Sequence, residues 1–197
     1  MQRKENVSSY SLTYWLSWAM IGALAFLIMK LEVPIIPGFN YLKMDFSDAL
    51  VALSTLVFGP IGGIMIALFK GILSLAISGF NLLSLVGQVA AFLACLAYIL
   101  PFYYISKNHD EKIGYQILGL IVGTICLTIV MAAANYFVLT PLYIKFAGFK
   151  LGSNMLTYIV SAIVPFNIVK GCVNGILVVL LAKTVLPPFK SFVRKHF

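Results

Sequence analysis

Lys170 stands in an apolar stretch, Pro165-Phe166-Asn167-Ile168-Val169-Lys170-Gly171-Cys172-Val173-Asn174-Gly175. The surrounding segment, 155–186, is long enough to cross a bilayer as helix. Ionisable groups in such helices are costly and mark ligand sites, ion paths or proton relays. At helical spacing Asn167, Lys170 and Asn174 share one face. Two further polar groups sit at membrane depth. Asn135 follows Ala132-Ala133-Ala134, with Thr124 and Thr128 on nearly the same face, and Lys70 lies in an earlier apolar run. For the asparagines and threonines the alternative to a ligand is an interhelical hydrogen bond. For Lys70 it is snorkelling or pairing with an acid.

Only six acids occur in the chain, and two of them, Asp45 and Asp48, close the segment Leu42-Lys43-Met44-Asp45-Phe46-Ser47-Asp48. As a DxxD metal site they would be short of oxygen ligands. They read better as helix-capping groups and as a counter-charge for a lysine. The three cysteines lie singly in apolar segments and read as small fillers, and neither histidine sits where it would ligate a metal. There is no GxxxxGK[ST] loop and no GxSxG elbow. Asparagine amides and a lysine, with Tyr41, Phe46, Tyr136, Phe137, Tyr143 and Phe166 nearby, suit a planar, uncharged heteroaromatic ligand with an imide edge and hydroxyls. The chain is therefore expected to bind, not to catalyse.

The elements that must position these groups are membrane helices. Of 197 residues 61% are hydrophobic and 10% charged, against about 25% charged in a soluble domain. Apolar runs predict spans at 12–31, 46–58, 61–78, 85–105, 115–139 and 154–186. Between the first two lies a Pro- and Gly-rich loop, 32–43; Gly59-Pro60-Ile61-Gly62-Gly63 makes a tight turn; and the fifth span breaks before Pro141, ahead of an outer loop through Lys145 and Lys150. The expected architecture is an all-α, six-helix transmembrane bundle forming one domain over 1–197. The net charge of +8 is topological and does not point to nucleic acid. Arg3, Lys4, Lys107, Lys112, Lys183, Lys190, Arg194 and Lys195 would all fall on one side, which the positive-inside rule makes cytoplasmic, with both termini. The chain is then a multi-pass protein of a cell membrane, in contact with lipid. In the first span Ala19-Met20-Ile21-Gly22-Ala23 is a small-xxx-small pattern that lets another helix approach.

These motifs together resemble the substrate-binding S components of energy-coupling factor (ECF) vitamin transporters, and among them the riboflavin-specific branch. The resemblance rests on Leu42 to Asp48, Phe58-Gly59-Pro60, Asn135-Tyr136-Phe137 with Pro141-Leu142-Tyr143, and Pro165 to Gly171. It implies a six-helix bundle that binds its vitamin near the extracellular side with high affinity and has no cofactor of its own. It implies docking on a transmembrane T component that carries two ABC-type ATPase subunits, and toppling in the membrane to deliver the ligand. By position Asn135, Asn167 and Lys170 look like the family's ligand-contacting polar residues. Leu42 and Asp45 look like lid and wall of the pocket, and Ala19 and Ala23 like the surface for the T component. Gln88 stands where the family would place an acid. Rival readings are an S component for pantothenate or folate, a stand-alone facilitator or channel, and a membrane enzyme using Asp45 or Asp48.

Overall fold

The computed structural model describes residues 12–35, 42–109, 112–152 and 154–196; Arg3, Lys4 and Tyr41 lie outside them. Helices dominate: α1 Leu12–Met29, α2 Ser47–Ser78, α3 Leu82–Ser106, α4 Ile113–Ala134, α5 Thr140–Ala147, α6 Met155–Tyr158 and α7 Val164–His196. A two-residue antiparallel pairing, β1 Val33–Pro34 with β2 Lys43–Met44, closes the strap between α1 and α2. Among the described residues five helical runs are long and apolar enough to cross a membrane: Leu12–Met29, Ser47–Ser78, Leu82–Ser106, Ile113–Ala147 and Met155–Phe189.

The second of these runs doubles back. Gly59 has φ 78° and ψ −179°, a conformation outside the helical region that essentially only glycine adopts, and Pro60 follows it. Asp48 and Lys70 lie equally far from Gly59 along the chain, about 16 Å of helix each. Their side chains nevertheless meet at 2.8 Å. Nearer the turn, Thr55 fills the space that a Cβ on Gly63 would need. The two arms, 47–58 and 60–78, therefore run antiparallel and pack on each other. The turn is tighter than the expected 59–63, because residues after Pro60 are already helical.

Helices α2, α3, α4 and α7 form the body, each packed on its neighbours, and α1 leans on α2. Small residues set the closest approaches. A Cβ on Gly123 would stand 2.6 Å from Tyr98 O, which brings α4 hard against α3, and one on Gly171 would collide with Thr124 of α4. Trp18, Leu53, Ile66, Tyr98, Ile99 and Phe102 fill the core. Apolar side chains also cover the outside: Leu16, Met20, Leu24 and Leu27 on α1, and Ile117, Ile121, Ile125 and Ile129 on α4. Such a surface suits lipid.

The expected break before Pro141 is absent. The chain passes from α4 through a π-helical turn, Asn135–Leu139, directly into α5, where Thr140 N–H reaches back five residues to Asn135 O. A second π turn, Ile159–Ile163, joins α6 to α7, closed by Val164 N–H on Ile159 O. Each closing residue precedes a proline, Pro141 or Pro165. Proline in an α-helix loses its hydrogen bond and clashes with the carbonyl four residues back, so widening that turn by one residue accommodates it without ending the helix. Lys145 accordingly lies in α5, and the loop is confined to the residues after Ala147. Helix α3 starts ahead of the expected 85, because Asn81 caps it by accepting from Ser84 N–H at 2.9 Å. Helix α7 continues beyond the expected 186 through Pro187 and Pro188, whose fixed φ is itself helical.

Candidate ligand-binding site

Asp45, Ser47, Lys70, Asp48 and Lys170 form a closed ring inside the bundle. Lys170 Nζ donates to Asp48 Oδ2 at 2.9 Å and faces Asp45 Oδ2 at 3.5 Å. Lys70 Nζ donates to Asp48 Oδ1 at 2.8 Å and to Ser47 Oγ at 2.9 Å. Ser47 completes the circuit, its backbone N–H (2.9 Å) and its hydroxyl both donating to Asp45 Oδ1. Two carboxylates and two ammonium groups make the ring neutral. All five residues are buried, as buried charges require when each is paired and hydrogen-bonded. The Asp45 contact to the Ser47 backbone is an Asx turn that starts α2. Of the two readings left open for Lys70, pairing with an acid is the one realised. Asp48, expected to cap a helix and to balance a lysine, holds both lysines at once.

The polar face of α7 divides by role. Asn174 is fully engaged: Oδ1 accepts from Ala49 N–H at 3.1 Å, and Nδ2 donates to Asp45 O at 3.2 Å and to Lys170 O at 3.1 Å. It ties α7 to the start of α2. Asn167 is 2% exposed, and its Nδ2 donates to Ile163 O at 2.8 Å. Among the described residues its Oδ1 takes no hydrogen bond, so an acceptor is left for another molecule. Lys170 has three N–H donors and two acidic partners.

Asn135 opens the first π turn. Its Nδ2 donates to Met131 O at 2.9 Å and its Oδ1 accepts from Thr140 Oγ1 at 3.3 Å. The two π turns are neighbours in space, so the elements that begin at Asn135 and end one turn before Asn167 face each other. The second π turn and Tyr158 before it supply an apolar patch, Tyr158, Ile159, Ala162 and Ile163, on which Leu42 of the strap and Ala132 pack. The strap itself is pinned by Lys43 to Glu32 at 2.5 Å. The structure thus joins Asp45, Lys170 and Asn174 directly, and sets Leu42 and Asn167 beside one patch.

Other expected lining groups lie elsewhere. Thr124 and Thr128 donate to carbonyls four residues back, Leu120 O and Thr124 O, at 2.8 Å each. They line an apolar groove of about 750 Å³ on the outer surface between α4 and α7, with Ile121, Ile168 and Ile176. Tyr136 and Phe137 are exposed, while Phe166 is buried. Tyr143 packs towards Gly87 of α3, next to a half-buried Gln88. Ala19 and Ala23 are half-buried, on the flank between the face of α1 that meets α2 and its lipid-facing side. Reasoning from sequence missed the π turns; the signal was the pair Thr140-Pro141 and Val164-Pro165 within otherwise unbroken apolar helix.

Long apolar helices packed around a neutral ring of two lysines and two aspartates, with asparagine amides nearby, define a multi-pass membrane protein. The family model for the substrate-specific component of ECF transporters matches residues 17–182. The chain is 42% identical over 166 residues to the riboflavin transporter RibU of Staphylococcus aureus, covering 83% of this chain and 85% of that one. It is 36% identical over 158 residues to the riboflavin transporter FmnP of Bacillus subtilis, covering 79% and 82%. A solved S component of a bacterial ECF transporter superposes with a TM-score of 0.73 at 38% identity, over 92% of this chain and 98% of that one. ThiT of Listeria monocytogenes shares the fold alone, at a TM-score of 0.63 and 14% identity over 90% and 97%. The chain belongs to the substrate-specific S components of ECF transporters.

Proposed function

We propose that this chain is the riboflavin-specific S component of an ATP-driven ECF vitamin transporter. The observation that carries the reading is the divided polar face of α7. Asn174 is spent on structure, while Asn167 and Lys170 keep hydrogen-bonding capacity beside an apolar patch roofed by Leu42. The identity to proteins named riboflavin transporters supports the choice of vitamin. The isoalloxazine ring lies on the apolar patch, Asn135 and Asn167 read its polar edge, and Lys170 donates to a ligand oxygen with Asp45 and Asp48 balancing its charge. An aromatic ring with one polar edge gains from such a half-apolar, half-polar lining. Riboflavin is the transported ligand and not a cofactor.

In this reading residues 1–197 form one domain. The arms of α2 count as two of six crossings, both termini are cytoplasmic, and the ligand enters from the outside. A transmembrane T component with two ATPase subunits supplies the energy, and Ala19 and Ala23 of α1 form part of the surface it meets. Purified protein screened against riboflavin, pantothenate and folate tests the vitamin, with riboflavin expected to bind far more tightly than the others. Reconstitution without the partners is expected to give binding with little net flux. Steady riboflavin flux from this chain alone would make it a facilitator and overturn the proposal.

A further inference from the structure

We infer that Lys70 is a positioning residue of the ligand site, acting on Lys170 through Asp48. The inference rests on the reading of Lys170 as a ligand donor and extends it to a residue on another helical arm. Lys70 is 2% exposed and sits on the returning arm of α2, directed at the start of the same hairpin.

The geometry of the ring gives it this role. A carboxylate has two oxygens, and an ammonium group free to choose would draw on both. Lys70 holds Asp48 Oδ1 at 2.8 Å, and Lys170 takes the other oxygen, Oδ2, at 2.9 Å. The same ammonium donates to Ser47 Oγ, whose hydroxyl donates to Asp45 Oδ1, leaving Asp45 Oδ2 as that carboxylate's face toward Lys170 at 3.5 Å. Lys70 therefore orients both acceptors of Lys170 and so sets the direction of its third N–H. It also sets the charge. With Lys70 present the ring is neutral and suits an uncharged ligand; without it two carboxylates face one ammonium, and Lys170 is drawn toward them and away from the site.

The test is a double-mutant cycle on riboflavin affinity, measured by flavin fluorescence with purified full-length protein. Lys70→Met is expected to weaken binding about tenfold, and Lys70→Arg, which keeps the charge but forks it, about threefold. On a Lys170→Met background both losses should shrink below about twofold, because the donor that Lys70 positions is gone. A merely structural lysine would cost the same on either background. Lys70→Arg carries the cycle if Lys70→Met does not accumulate in the membrane. Wild-type affinity in the Lys70 variants, or equal losses on both backgrounds, would overturn the inference while leaving riboflavin recognition intact. Wild-type protein that binds no riboflavin would overturn the functional proposal itself. A Lys170→Met variant binding as tightly as wild type would overturn the inference together with the role of Lys170.

Discussion

Replacing Asn174 by alanine removes two hydrogen bonds between α7 and the start of α2 and one within α7, to Lys170 O. Ala49 N–H keeps a second acceptor, Phe46 O at 3.3 Å, so its loss is partial. Asp45 O loses a donor in a buried setting. Each bond contributes about 1 kcal/mol net, and a buried group left without a partner costs about 1–3 kcal/mol. Together these give a destabilisation of about 2–3 kcal/mol. For a chain of this length that lowers the melting temperature by about 4–12 °C. Asn167→Ala is the matched comparison. It removes one bond within its own helix, to Ile163 O, and should melt about 2–4 °C below wild type at most. Its effect should fall on the ligand: a lost acceptor for a polar edge weakens riboflavin binding about tenfold. Thermal unfolding of both variants without ligand, with riboflavin titration below the transition, separates the two roles. If Asn174→Ala melts with wild type, or Asn167→Ala binds riboflavin unchanged, the division of the α7 face into brace and reader is wrong.

Gly59→Ala places a side chain at φ 78° and should cost about 1–3 kcal/mol, read as a lower melting temperature; an unchanged melting curve would mean that the hairpin does not depend on that turn. Replacing Ala19 and Ala23 together by leucine should block capture of the T component and its ATPases while riboflavin affinity stays within about twofold. Normal assembly with the doubly substituted chain would move the docking surface elsewhere.

The features legible in the residues are the local ones. Helical periodicity placed Asn167, Lys170 and Asn174 on one face, and two strong backbone punctuators, Gly59 and Pro60, marked the point where the chain doubles back. The division of that face was not legible, because Asn174 is committed to its role by Asp45 and Ala49, more than a hundred residues earlier in the chain. Lys70 had an acid in view but no assignment, since its pairing with Asp48 depends on how sharply α2 folds back. Pro141 was over-read as a helix end: the π turn before it absorbs the proline and adds a residue to the turn. The wider turn departs from the 3.6-residue count, and within it Tyr136 and Phe137 lie on the outside. Thr124 and Thr128 shared a face with Asn135 by counting, but Thr124 packs on Gly171 and both line the surface groove between α4 and α7.

Calorimetric titration of the purified, ligand-free chain with riboflavin bears most directly on the account. Saturable binding of one riboflavin per chain, weakened when Asn167 or Lys170 is replaced by alanine, is the expected result. No heat of binding and no flavin absorbance carried through purification would contradict it.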